Sequence, residues 1–395
     1  MDVGLYLHVP FCPTKCGYCD FYSHVAQAGS FGPLVEAMLV ELDAALGDTD
    51  PPLPPRGKGG RAELHVETIF VGGGTPTFLP MAQFEKLFAS LGRVAERERP
   101  VEFTVEANPA SLTEAKAAVL RANGVNRISM GAQSFDPREL RTLERIHSPA
   151  DIAPSAAIIH RAGFPHFNLD LIFGIPGQTE ATWAESLRRA MDLGPDHMAC
   201  YGLTYEPDTA LFDRLGRGLI EPMEDEYEAV LYGQAVDMLE ARGFHQYEIS
   251  NFARPAAESR HNMRYWLNLP YLGIGPSAAS FLHGRRWKNV PDTAEYVRRV
   301  GCGEDLAIQS EELSSLERAG ETAMLQLRLV RGIHPPEFQA ATGYDPGELF
   351  REVIAAHVER GLLTSDSQRI ALTRRGRLVG DAVIADFLSP ARGEV

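Results

Sequence analysis

Six short apolar, β-rich runs recur along the first half of the chain, at residues 4–9, 67–71, 101–105, 126–130, 167–172 and 197–201. Each closes on Gly, Pro or polar residues, and a helix-like segment follows it. Strands joined through helices lie parallel, because a parallel crossover needs a connection far longer than a hairpin. Six such units predict an α/β fold with a parallel sheet, either open and doubly wound or curled into a barrel or part of one. In either geometry the functional groups belong at the C-terminal ends of the strands.

Local signals support the intervening helices. Ser111 with Glu114 reads as a capping box for a helix closed at Gly124, and Asp136, Pro137 and Glu139 supply an N-cap, a first-turn proline and an acidic third position. A further helix begins after Thr179 and stops at Gly194 and Pro195. Residues 48–60, DTDPPLPPRGKGG, are too rich in Pro and Gly for a regular element and read as a flexible surface loop.

Beyond Ser310 the pattern changes. Helical periodicity at 316–329, 335–342 and 348–360 precedes an alternating stretch about a polar turn, LLTSDSQRIALT, an order that resembles a winged-helix module of α+β type. Such modules commonly bind DNA, but residues 311–395 carry 10 basic and 13 acidic side chains, so a docking or lid role is expected. The whole chain has 38 Lys plus Arg against 53 Asp plus Glu, a formal charge of −15, which gives no electrostatic reason to bind nucleic acid. The apolar stretch at residues 3–11 is far short of the ~20 residues of a membrane span. Three domains are expected: a core at 1–240, a connecting region at 241–310 carrying the HNMRYW stretch, and the module at 311–395.

Five cysteines, three of them at positions 12, 16 and 19, do not make a disulfide framework. Without an export signal they point to a reducing cytoplasm and to metal or redox chemistry. Cys12, Cys16 and Cys19 stand at C-x3-C-x2-C spacing directly after the first strand, and three thiolates on one loop can hold three irons of a cubane, leaving the fourth iron open to a small chelating molecule. A structural zinc site is the competing reading, with His8 or His24 completing a Cys3His set. Cys200 reads as a small core residue and Cys302, between Gly301 and Gly303, as an exposed one.

The remaining strand ends carry matching chemistry. Gly72, Gly73 and Gly74 remove every Cβ where backbone could approach a ligand, and Thr75 and Pro76 fix the exit. Glu106 can accept hydrogen bonds from ribose hydroxyls. Gln133 follows the fourth strand, Arg145 is placed on the ensuing helix, and Asp170 lies within the fifth strand.

The cysteine spacing resembles the hallmark of the radical S-adenosylmethionine (radical SAM) superfamily. The ordered set YLHVPFC, GGGTPT, EANP, GAQSF and DLIFGIPGQT is similar to the branch that holds oxygen-independent coproporphyrinogen III dehydrogenases and the HemW-type heme chaperones. The resemblance spans about residues 3–390 and implies a partial (β/α)6 radical SAM barrel with a C-terminal winged-helix-like α+β domain. It implies a [4Fe–4S] cluster on Cys12, Cys16 and Cys19, whose unique iron binds SAM and whose electron splits the sulfonium C–S bond. Tyr6, Tyr18, Gly73, Gly74, Thr75, Glu106, Gln133, Arg145 and Asp170 would line the SAM site.

Two features divide the branch. The dehydrogenase pattern has a further cysteine two residues after the third, where this chain has Phe21, and a long N-terminal extension, where only eleven residues precede Cys12. The resemblance therefore favours a chaperone that binds heme and passes it to apo-hemoproteins, with oxidative decarboxylation of coproporphyrinogen III as the alternative and a cluster-based regulatory sensor as a third. The segment 259–280 contains a stretch similar to the HNxxYW motif of the chaperones, which implies His261 as an axial heme ligand with Tyr265 and Trp266 as flat surfaces; by residue type alone they equally tie down a loop. Gly273, Gly275 and Ser277 form a tight turn toward the SAM site or a purely structural one. A homodimer dependent on the cluster or on SAM is a further expectation.

Overall fold

The computed structural model describes residues 1–27, 29–47 and 64–388; the loop expected at 48–60 lies outside them. Six parallel strands form the centre of one sheet: β1 (Asp2–Val9), β2 (His65–Gly73), β3 (Glu102–Ala107), β4 (Arg127–Gln133), β5 (His166–Phe173) and β6 (His197–Gly202). They neighbour one another in chain order, as consecutive strand–helix–strand units commonly do. Five match their sequence-predicted runs within two residues and β4 runs three beyond its predicted end, because the face each turns to the helices is apolar at every second position. Val3, Leu5, Leu7, Ile69, Val71, Phe103, Val105, Ile128, Leu169 and Leu171 face the helical layer and are fully buried. The alternate residues face a polar interior.

The region 241–310 does more than connect. Strands β7 (His245–Gln246) and β8 (Asn251–Ala253) extend the sheet beyond β6, while β9 (Tyr271–Ile274), β10 (Ala279–Leu282), β11 (Arg285–Asn289) and β12 (Ala307–Glu312) extend it beyond β1. The result is a twelve-stranded sheet in the order β12-β11-β10-β9-β1-β2-β3-β4-β5-β6-β8-β7, curled but not closed. Between β8 and β9 the short helix Arg260–Trp266 crosses the N-terminal end of the barrel. The carboxylate of Glu102 accepts from the backbone N–H of Arg260 and of His261, both at 3.0 Å, and so seats the helix by its positive end.

The helices follow their signals with two shifts. Asp136 caps as expected, its carboxylate accepting from Arg138 and Glu139 backbone N–H. The helix Glu114–Ala122 is capped by Thr113 rather than Ser111, whose hydroxyl instead donates to the Asn108 carbonyl and accepts from the Asn108 N–H. The predicted helix 348–360 is divided at Phe350 into Pro346–Leu349 and Arg351–Glu359. With Ser315–Gln326, Pro335–Thr342 and the hairpin of Leu363–Ser365 with Ile370–Leu372, these build a second core around Phe338, Phe350 and Phe387. Cys200 is buried in β6 and Cys302 is exposed. No helix among the described residues is long and apolar enough to cross a membrane.

Candidate functional site

The loop after β1 carries Cys12, Cys16 and Cys19, all half-buried, against the C-terminal ends of β2 to β5. A cavity of about 140 Å³ there is walled by the three cysteines together with Tyr18, Gly73, Gly74, Thr75, Glu106, Gln133, Arg145 and Asp170. The structure thus unites the sequence-based set except Tyr6 and His261. Tyr18, Cys19, Glu106, Gln133 and Asp170 also border a second cavity of about 420 Å³ inside the barrel.

The glycines of β2 earn their place by crowding rather than by open space. A Cβ on Gly74 would stand 2.7 Å from the Phe11 carbonyl oxygen, and one on Gly73 would meet the His8 ring at 2.6 Å. Gly73 also needs a φ of 101°, which side chains oppose. Without these Cβ atoms, Gly74 N–H donates to Val9 O at 2.7 Å and Thr75 N–H to Phe11 O at 2.8 Å, which fixes the cysteine loop. Gln133 sits at a β-bulge between β4 and β5 with a φ of 64°, a conformation that aims its amide at the cavity.

Hydrogen bonds join two of the thiols through residues of three strand ends. Thr75 Oγ1 lies 3.5 Å from Cys12 Sγ and accepts from Asn108 Nδ2 at 2.7 Å, which leaves the hydroxyl hydrogen for the sulfur. Arg145 Nη2 donates to Asn108 Oδ1 at 2.6 Å and to Gly131 O at 2.8 Å, while its Nη1 donates to Cys16 Sγ at 3.3 Å. Arg145 lies beyond the helix Pro137–Thr142, not on it, released by the left-handed turn at Glu144. Asn108, within the EANP stretch, was not singled out by sequence reasoning; an amide following the ribose-type carboxylate by two residues is its only signal.

Electrostatics mark the same place. Loss of solvent raises the Cys12 thiol, and it raises Cys19 to about 11, with the neighbouring thiols adding to both. Burial, then Asp170, lifts Glu106 to about 8, although Gly73 N–H donates to its Oε2 at 3.2 Å. Burial lifts Asp170 to about 6 against the hydrogen bond from Asn168. Thiols that repel one another when ionised, faced by one buried guanidinium, suit a group that brings several positive charges, as iron does. Among the described residues no group of three or more His, Cys, Asp or Glu converges as a single-ion site would. His8, the first candidate for a zinc ligand, has Nε2 on Tyr22 O at 2.7 Å and Nδ1 on the Tyr6 hydroxyl at 2.9 Å, and burial lowers it to about 4. The three thiols, all lining the same cavity with the Arg145 guanidinium on Cys16, fit a multi-iron cluster better.

Tyr6 lines neither cavity, since its hydroxyl is turned to His8. His261 corrects the sequence expectation. It is 1% exposed on the barrel floor, Nδ1 bonded to Thr68 Oγ1 at 2.8 Å and Nε2 to the Tyr265 hydroxyl at 2.9 Å, with its ring stacked on Phe70. Neither nitrogen is open to a heme iron, because the helix is rotated to put this face inward. Tyr265 is packed edge-on against Tyr271, and Trp266 lies under the Arg328 guanidinium. Gly275 and Ser277 make a structural turn: both have positive φ, and a Cβ on Gly275 would press His8 O at 2.6 Å.

The model of the Radical SAM superfamily matches residues 6–190, and that of the HemN C-terminal domain matches residues 313–379. Heme chaperone HemW of Bacillus subtilis is 34% identical over 384 residues, 97% of this chain and 98% of its own. The chain belongs to the HemW family of radical SAM proteins. Heme chaperone HemW of Mycobacterium tuberculosis (strain ATCC 25618 / H37Rv) is 36% identical over 98% of this chain and 94% of its own, and that of Escherichia coli 31% over 98% of each. Among solved structures, coproporphyrinogen III oxidase (HemN) from Escherichia coli, a radical SAM enzyme, superposes with a TM-score of 0.80 at 22% identity, over 98% of this chain and 90% of its own, which shows a shared fold. Radical SAM membership implies a [4Fe–4S] cluster and SAM.

Proposed function

We propose that the chain is a cytoplasmic heme chaperone that binds heme and hands it to apo-hemoproteins. In this reading Cys12, Cys16 and Cys19 hold a [4Fe–4S] cluster, whose open iron supplies a place for the amino and carboxylate groups of SAM. Glu106 accepts from the ribose hydroxyls, Gly73 and Gly74 let the backbone pass close to the methionyl end, and Gln133, Tyr18 and Asp170 shape the cavity around the nucleoside. Arg145 and Asn108 orient Cys16 and Thr75 for that cluster. Tyr6 acts from behind this wall, by holding His8. Cluster-dependent pairing of two copies belongs to the same proposal.

The observation that carries the reading is the end-to-end match to proteins named heme chaperones, in a chain with Phe21, 65% exposed, where the dehydrogenase pattern has a cysteine. The test mixes anaerobically reconstituted protein with hemin and, separately, with coproporphyrinogen III and SAM. A chaperone shows a shifted Soret band and no decarboxylated product. Turnover of the porphyrinogen would reverse the assignment in favour of the dehydrogenase.

A further inference from the structure

The underside of the barrel carries a cleft of about 660 Å³, at the opposite end from the cysteines. The helix Arg260–Trp266 divides the two spaces. His261 and Tyr265 face the barrel, whereas Arg260, Met263, Arg264 and Leu267, at the spacing of one helical face, line the cleft. Its far wall comes from the C-terminal domain, through Leu329, Arg331 and Arg369, and from His245 at the sheet edge.

Three properties of this cleft belong together. Its floor is apolar, from Met263, Leu267, Leu269 and Leu329. Its rim is basic in a chain of net charge −15: four arginines, at 260, 264, 331 and 369, outnumber the two carboxylates of Glu67 and Glu258. Glu67 holds Arg264 and Glu337 holds Arg331, but Arg260 and Arg369 form no ion pair among the described residues. Finally, the His245 imidazole is half-exposed and fixed through Nε2 to Glu258 Oε1 at 2.7 Å, with no hydrogen bond at Nδ1 among the described residues. A carboxylate behind an imidazole orients the ring and makes the free nitrogen a better metal donor.

We infer that this cleft is the heme site: the macrocycle lies on the leucines, its propionates meet Arg260 and Arg369, and its iron takes Nδ1 of His245. The inference rests on the heme-chaperone reading and adds the place. It also separates the two cofactors, since His261, Thr68 and Arg264 form a floor between the macrocycle and the SAM cavity. The HNMRYW stretch then serves heme by building the wall of the cleft, and His261 serves by locking that wall to the barrel.

The test is hemin titration of the full reconstituted chain, read by Soret position and affinity. Far-UV circular dichroism and the 4Fe–4S absorbance per chain serve as fold controls. His245→Ala should move the Soret maximum and weaken binding at least tenfold. The charge-reversed pair Arg260→Glu with Arg369→Glu, both at exposed positions, should weaken it at least tenfold without moving the cluster absorbance. One hemin bound by the wild type, with spectrum and affinity unchanged in both variants, overturns the cleft and leaves the chaperone reading standing. A wild type that binds no hemin overturns that reading and the cleft with it.

Discussion

Replacing Glu106 by glutamine tests the electrostatics of the cavity most directly. Burial first, and Asp170 second, raise this carboxyl from an ordinary 4.5 to about 8, so the folded, cluster-free chain keeps a proton that the unfolded chain releases. A group raised on folding stabilises fully below its unfolded value, and its contribution disappears as pH climbs through the folded one. At ~1.4 kcal/mol per pH unit the whole window, from about 4.5 to about 8, corresponds to roughly 5 kcal/mol. Asp170, raised to about 6, has already finished titrating above that pH, so the upper part of the window isolates Glu106. Between about pH 6.5 and 8.5 the same linkage gives the wild type a loss of roughly 2 kcal/mol that the Gln variant escapes. Urea unfolding of the reduced, iron-free chain under anaerobic conditions, followed by tryptophan fluorescence, measures the difference. Parallel stability–pH curves for the two proteins would refute the reasoning.

Other predictions follow from packing and from the thiols. Asn108→Ala removes the amide joining Thr75 to Arg145, costs about 1–3 kcal/mol, and should lower iron and sulfide per chain after reconstitution; full loading would show that the thiols need no such support. Gly74→Ala should cost about 1–3 kcal/mol by thermal melting because its Cβ strikes Phe11 O, whereas Gly301→Ala, in a helix with nothing within 4 Å, should gain about 0.5–1 kcal/mol. In the iron-free chain at neutral pH, exposed Cys302 should be alkylated by iodoacetamide well before Cys12 and Cys19, whose raised pKa keeps them protonated; peptide mass spectrometry reads the order. Cys16→Ala should abolish the 4Fe–4S absorbance altogether, and retention of a cubane spectrum would remove Cys16 from the ligand set.

The six central strands were legible because short runs rich in apolar and β-branched residues stand between turn signals, and the glycine and carboxylate positions followed from knowing where such strands end. The flanking strands were not. AIQSEE in β12 lies at the sheet edge, largely exposed, and carries the charges that edges use against aggregation, while RRWKN in β11, next to it, has only Trp287 as a large apolar residue, so both read as loop. Ser111 and Thr113 both have cap chemistry, and the Ser111 hydroxyl is drawn away to Asn108 and to the Thr77 hydroxyl, which leaves the cap to Thr113. The rotation of the helix Arg260–Trp266 was equally hidden. Its composition names a histidine and two aromatics, but Glu102, far away in sequence, fixes which face turns inward.

The position of β1 has a consequence for how the molecule is made. It comes before every other strand of this sheet in the sequence, yet it sits inside the sheet, with Gly4 paired across to Tyr271 on one side and its other edge on β2. At 5–20 residues per second the ribosome delivers that second neighbour on the order of tens of seconds after β1 emerges. Until then the segment bearing the three thiols hangs from a strand with a raw edge, so iron delivery to the finished protein, not to the nascent chain, is the route its topology favours.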